Sequence, residues 1–158
     1  RRSRGDADAA GAVAAVSSIH FLSAMDIATF DDLLRAARAQ PEPQRLLFVF
    51  AGAELPPDST REQRRQFEDG RGGTLVPLMC VDRTPDEIGA FADLVAESRE
   101  MQCEWSIVFV AALDGRNGRA LTSEEAEAPL LRMIDAIKSG SLGAFIPFDR
   151  DGEPVVLQ

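Results

Sequence analysis

The apolar residues of this chain repeat with a helical period in three places. Phe30, Leu33, Leu34 and Ala37 fall at i, i+3, i+4 and i+7. Ile88, Phe91, Ala92 and Val95 repeat the spacing, and so do Leu130, Met133, Ile134 and Ile137. Such a set forms one apolar stripe and turns that side of a helix toward a core. The opposite faces carry charges such as Asp86, Asp93, Glu97 and Glu100, which read as solvated surface.

Helix starts are marked as well. Thr29…Asp32, Ser59…Glu62, Thr84…Glu87 and Thr122…Glu125 each place a hydroxyl three residues before a carboxylate. In a capping box these side chains satisfy orphan backbone N–H groups. Pro85 suits a first helical position, and Gly140 suits a helix end. The helix expected from Ser59 is polar, with Phe67 as its clear apolar anchor. Pro129 predicts either a kink or a helix start near Ala128.

Between the helices lie continuous apolar runs. Residues 46–51 and 107–112 read as strands covered on both faces. Residues 75–81 form a third strand, in which Pro77 predicts an edge or a bulge. Residues 144–148 form a fourth. A turn at 149–152 then leads into 155–157 as a short C-terminal hairpin. The order α-β-α-β-α-β-α-β-β predicts an α/β fold: a parallel or mixed sheet of four to five strands, flanked by helices, as one domain over residues 25–158.

The first 24 residues differ from the rest. Arg1, Arg2 and Arg4 precede an Ala/Gly/Asp stretch with no clean period, and regular patterning begins at Met25. Three readings are open: a mis-called start with Met25 as the initiator, a disordered extension, or a targeting peptide. Asp6 and Asp8 interrupt the basic start that a targeting peptide needs.

Charge and cysteine content narrow the function. The chain carries −9, and −10 without the first 24 residues, which hold three Arg against two Asp. That balance opposes nucleic acid and anionic membranes as partners. No apolar run reaches the roughly 18 residues of a membrane span, and the expected location is the cytoplasm of a bacterium. The 16 Arg against a single Lys138, with abundant Ala and Gly, fit a GC-rich genome. The two cysteines form no CxxC pair. Cys80 reads as a buried small hydrophobe, and Cys103 as a partly exposed thiol. The one histidine, His20, lies in the doubtful extension, so Ser-His-Asp and Cys-His catalysis lack their base. No cofactor is expected, and a metal site lacks its usual nitrogen ligand.

Two places could still bind a ligand. Asp82 ends an apolar strand, where α/β sheets commonly hold ligands, although the structural alternative, a turn carboxylate bonding nearby N–H groups, is the default reading. A Gly/Arg loop with Gly115, Arg116, Gly118 and Arg119 follows a central strand and precedes the Thr122 helix start. Glycines admit close backbone approach, and arginines grip anions. The loop matches neither G-x-x-x-x-G-K-[ST] nor G-x-G-x-x-G, and Glu124 and Glu125 compete with a bound phosphate. A second Gly/Arg loop spans residues 69–73.

From Met25 onward the chain resembles a family. The residues that carry the resemblance are Phe30 with Asp31, Asp32, Leu33 and Leu34; Gln40, Pro41, Glu42, Pro43 and the run to Phe50; Pro77 to Asp82; Ile107 to Leu113; and Ile137, Lys138, Ser139, Gly140 with Phe145 to Arg150. They are similar to the short proteobacterial proteins labelled "ribonucleotide reductase subunit alpha", over nearly all of residues 25–158. The resemblance implies a role in or beside ribonucleotide reduction. A catalytic subunit of that enzyme is several times longer and uses a thiyl-radical cysteine with a reducing pair. This chain has two cysteines and no tyrosine, so no catalytic residue carries over.

Three functions follow as expectations. The first is a non-catalytic interaction or regulatory domain with a protein partner. The second is a small-anion or nucleotide-binding protein using Asp82 and the 115–119 loop, favoured if both lie at one end of the sheet. The third is a thiol-dependent or reductase-associated role built on Cys103 or Cys80, which needs an exposed thiol beside positive charge.

Overall fold

A computed structural model of the chain describes residues 27–55, 57–68 and 74–155. The expected extension, with His20, lies outside the described residues. So do the 69–73 loop, the last residues of the expected hairpin and the side chain of Phe67.

The elements run α1 (Phe30–Arg38), β1 (Gln44–Glu54), α2 (Arg61–Glu68), β2 (Thr74–Arg83), α3 (Pro85–Ile88), α4 (Phe91–Glu100), β3 (Ile107–Asp114), α5 (Ser123–Lys138) and β4 (Ile146–Phe148). The strands form one four-stranded sheet in the order β2-β1-β3-β4, with helices packed on it. This is the α/β class that the alternation predicts.

Strand sense departs from expectation: every hydrogen-bonded pair is antiparallel, not parallel or mixed. The reason lies in the connections. The excursion between β1 and β2, which contains α2, returns to the sheet end it left, so the two strands pair as a long hairpin. β2 and β3 do run the same way, joined by α3 and α4 as a crossover implies. However, β1 lies between them and is antiparallel to both.

The period of two in β1 and β3 divides the core. Leu46, Phe48 and Phe50 join Val108, Val110 and Ala112 on one face, under α1, α3 and α4. Leu47, Val49 and Ala51 join Phe109, Ala111 and Leu113 on the other, under Ala126, Met133 and Ile137 of α5. Both faces are covered, which is why the two central strands are continuously apolar. On the first face Phe30 packs against Phe91, Phe148 and Phe48, with ring centroids 4.8, 5.3 and 5.9 Å away.

The local signals are mostly where the sequence puts them. Thr29 accepts from the Asp32 N–H, and the Asp32 carboxylate accepts from the Thr29 N–H. Thr122 and Glu125 make the same exchange. At α2 the capping pair is Thr60 and Gln63, one residue beyond the expected Ser59 and Glu62. The stripe from Ile88 to Val95 is cut in two by Gly89 at φ +71°. α5 starts at Ser123, so Pro129 sits inside it.

β2 is an edge strand with a bulge opposite Phe50 and Ala51, as Pro77 predicts. The other edge, β4, is three residues long and contains Pro147. The chain turns back beyond it: Phe148 bridges to Pro154, and the Val155 N–H donates to the Pro147 carbonyl. This is the described part of the expected hairpin.

Candidate functional site

Asp82 ends β2 and Gly115 follows β3, so the two sequence-derived candidates share one end of the sheet. Asp82 is opposite Leu47, and Asp114 is opposite Gln44, at the start of β1. The N-termini of α3 and α5 reach the same end.

Most polar groups there are already engaged. The Asp82 carboxylate accepts from Arg45 Nη1 at 2.7 Å and from the Ser123 hydroxyl at 2.7 Å. Arg45 also donates its Nε to the Leu121 carbonyl and lies 3.8 Å from Glu87. The Arg45 and Asp82 side chains are 12% and 19% exposed. This pair ties β1 to β2 and anchors the start of α5. Arg83 is paired with Glu97 at 2.7 Å, and Arg38 reaches the Pro85 carbonyl at 3.2 Å.

The Gly115–Arg119 loop is a tight hairpin. The N–H and C=O groups of Arg116 and Arg119 pair with each other at 2.8 and 3.0 Å. Asn117 and Gly118 between them have φ +53° and +73°, the signature of a type I′ turn. The Asn-Gly dipeptide is the sequence signal for this turn, and it identifies the segment better than its arginines do. Gly115 is required by close approach: a Cβ there would lie 2.1 Å from the Arg119 carbonyl and 2.7 Å from that of Pro43. Its N–H donates to the Pro43 carbonyl at 2.8 Å, and the Gly118 N–H points to a Glu42 carboxylate oxygen at 3.4 Å. The backbone donors of Gly115, Arg116, Gly118 and Arg119 are therefore occupied. Beside the loop, Gln44 donates to the Glu42 carbonyl and to Asp114, leaving its buried Oε1 without a donor. A buried acceptor disfavours an anion nearby.

Two carboxylates at this end are held below the usual carboxylate range. Glu87 accepts the Thr84 backbone N–H, then its hydroxyl. Glu125 accepts the Thr122 backbone N–H, with desolvation opposing and the Thr122 hydroxyl and Arg119 adding to the downward pull. A carboxyl depressed in the folded state adds stability above its unfolded pKa and loses it as pH falls through its folded value. Glu87→Gln and Glu125→Gln are therefore expected to flatten the acid limb of stability below about pH 5, as followed by urea unfolding against pH.

At the opposite end of the sheet lies a cleft of about 1250 Å³. Gly52 forms its floor. Leu78, Met79, Met101, Cys103 and Trp105 supply apolar walls, and Arg99, Arg150, Glu54 and Glu104 supply charge. The bulge in β2 shapes it: Leu78, the extra residue opposite Phe50 and Ala51, leans over Gly52, where an added Cβ would meet its Cδ1 at 3.0 Å. Leu78 is 46% exposed and Met101 66%. Trp105 is 2% exposed. Its indole N–H donates to Ser98 Oγ at 2.8 Å, and the Ser98 hydroxyl donates to the Val95 carbonyl at 2.6 Å. Phe50 packs edge-on against the indole with centroids 5.1 Å apart, and the Arg150 guanidinium sits 5.4 Å from the ring centroid.

The cleft rim is the end of α4. The Cys103 N–H donates to the Ser98 carbonyl and the Gln102 N–H to that of Arg99, the pattern of a Schellman cap. Gln102 takes the left-handed position at φ +55°. α5 ends in the same motif with Gly140 at φ +81°. Gln102→Gly is expected to stabilise the protein by about 0.5–1 kcal/mol in chemical denaturation, because glycine adopts this conformation without strain.

The cysteines differ from expectation in one respect. Cys80 is exposed, not buried, because an apolar run on an edge strand is not covered as a central strand is. Cys103 is half-buried as expected, and burial pushes its thiol up, with only a weaker opposing pull from Arg150. Brief alkylation followed by mass spectrometry should therefore label Cys80 well before Cys103. Among the described residues no group of three or more His, Cys, Asp or Glu could hold a metal ion, and no helix is long and apolar enough to cross a membrane.

Comparison with protein-family models, with curated proteins and with solved structures finds no match to this chain.

Proposed function

We propose that the protein is a non-catalytic interaction domain whose working surface is the Trp105 cleft. The observation that supports this reading is the contrast between the two sheet ends. At the Asp82 end, Arg45, Arg83, Asp82 and the hairpin backbone are used internally. At the cleft, Leu78 and Met101 stay exposed beside a buried tryptophan, as a contact surface would hold them. Quantitative affinity capture with the full chain tests this. Leu78→Asp and Met101→Asp should lose the captured partner, and Arg116→Ala/Arg119→Ala should keep it. The reverse pattern overturns the reading. The family resemblance makes ribonucleotide reductase the first partner to look for.

A second reading, small-anion or nucleotide binding by the 115–119 loop, is favoured by one observation: Asp82 and the loop share a sheet end. Any ligand there would rely on the Arg116 and Arg119 side chains. A saturable rise in melting temperature with a nucleotide or phosphate, lost in Arg116→Ala/Arg119→Ala, would support it.

A further inference from the structure

We propose that the Asn117-Gly118 turn is a self-modification site, where Asn117 loses its amide as ammonia and becomes aspartate or isoaspartate. The co-reactant is water, and the isoaspartate product breaks the hairpin that carries it. The proposal is independent of the Trp105 cleft.

The chemistry needs two adjacent residues. The Gly118 backbone nitrogen gives up its proton and attacks Asn117 Cγ. The new N–C bond closes a cyclic imide, the Cγ–Nδ2 bond breaks, and Nδ2 leaves as ammonia with that proton. Water then opens the imide at either carbonyl. One product is aspartate. The other is isoaspartate, in which the main chain runs through Cβ. No oxidant or reductant is involved.

A following glycine favours the attack because no Cβ shields its nitrogen. Asn117 is the only asparagine of the chain, and the structure sets its turn apart from the Asp-Gly pairs that could close the same ring by losing water. Gly115 follows Asp114 and Gly152 follows Asp151, and both glycines are buried. Their N–H groups donate to the carbonyls of Pro43 and Asp149 at 2.8 and 3.1 Å. An added Cβ would lie 2.1 Å from Arg119 at Gly115 and 3.1 Å from Phe91 at Gly152. The third pair, Asp69-Gly70, lies outside the described residues. Asn117 and Gly118 are exposed, and nothing lies within 4 Å of a Cβ built on Gly118. The Gly118 N–H is 3.4 Å from its Glu42 acceptor, longer than the bonds of Gly115, Arg116 and Arg119 and beyond the ordinary N–H···O range.

Attack turns the Asn117 carbonyl out of its place in the turn, so the tip opens first and the Arg116–Arg119 pairing is lost. Exposed tips of this kind open locally, without unfolding the sheet. Once isoaspartate forms, the chain between Arg116 and Arg119 is one atom longer, and a two-residue turn no longer closes it.

The test incubates the full chain at neutral pH, in buffer and in unfolding guanidinium chloride, and follows it by ion exchange and peptide mapping. An acidic species one charge below the parent is expected to grow in at a single first-order rate. The change should map to residue 117 and divide between aspartate and isoaspartate. Asn117→Gly keeps a turn-forming pair and should give no such species. With the tip opening locally, the rate in buffer should stay within about a hundredfold of that in denaturant, whereas a route through global unfolding would slow it more than about a thousandfold. A slower rate, or an acidic species that maps elsewhere, overturns the proposal. The isolated isoaspartate fraction should melt below the unmodified protein, and Asn117→Asp, which keeps the chain length, should melt with it. Equal melting of the isoaspartate fraction overturns the loss of the hairpin.

Discussion

An Arg45→Ala variant is expected to lose about 3 kcal/mol of folding stability, measured by urea denaturation. The side chain crosses from β1 to the end of β2 and the start of α5, bonding Asp82 at 2.7 Å and the Leu121 carbonyl. Without it, Asp82 keeps only the Ser123 hydroxyl, in a site where the carboxylate is 19% exposed. Breaking one side of a largely buried pair costs more than the pair contributes, because the remaining charge stays desolvated. Asp82→Ala should cost a similar amount, and the double variant less than the two added together. A loss below about 0.5 kcal/mol, the scale of an ordinary surface substitution, would return Asp82 to the set of free carboxylates open to a ligand.

Phe30→Ala should destabilise by about 3–5 kcal/mol, the range for deleting a buried aromatic ring. Phe30 is 1% exposed and touches rings from three other elements: Phe48 of β1, Phe91 of α4 and Phe148 of β4. Its backbone N–H also donates to the Gly152 carbonyl at 2.9 Å, so one residue joins the first helix to the C-terminal turn. The cavity cannot close easily, because Gly152 is already near contact: a Cβ there would meet the Phe91 ring at 3.1 Å. Leu131→Ala, at a position 56% exposed, is the control and should change stability by no more than about 0.5 kcal/mol. A comparable loss in both variants would mean that the aromatic cluster is not the rigid centre described.

The helical stripes were legible because burial follows the 3.6-residue period. Phe30, Leu33, Leu34 and Ala37 are all buried, and so are Met133 and Ile137 of α5. Pro77 marked both the edge and the bulge of β2 because its missing N–H suits no central strand. Strand sense was not legible. It depends on where a connection returns, and the polar residues of α2 look the same whether the helix crosses a sheet or stands beside it. Cys80 was misread for a related reason: an apolar run does not say how many neighbours its strand has.

The candidate site was legible only in part. Asp82 and Gly115 do meet at one sheet end, as two strand ends of like direction should. That their polar groups are already used depends on Arg45 and Pro43, which come from a distant part of the chain. The Asn117-Gly118 turn was readable but was outweighed by the arginines on either side. The cleft left no motif at all. Gly52, Leu78, Arg99, Trp105 and Arg150 come from five segments, and only the bulge and the crossover bring them together.

The two edges of the sheet also guard against self-association. From Thr74 to Val81 the edge strand β2 carries no charge, but Pro77 and the bulge at Leu78 interrupt it, devices that blunt an edge against pairing with a copy of itself. The opposite edge is three residues long and is interrupted by Pro147, with Pro154 beyond it. Each edge of the sheet is thus broken by a proline, and neither offers an uninterrupted row of backbone groups as a template for a fibre.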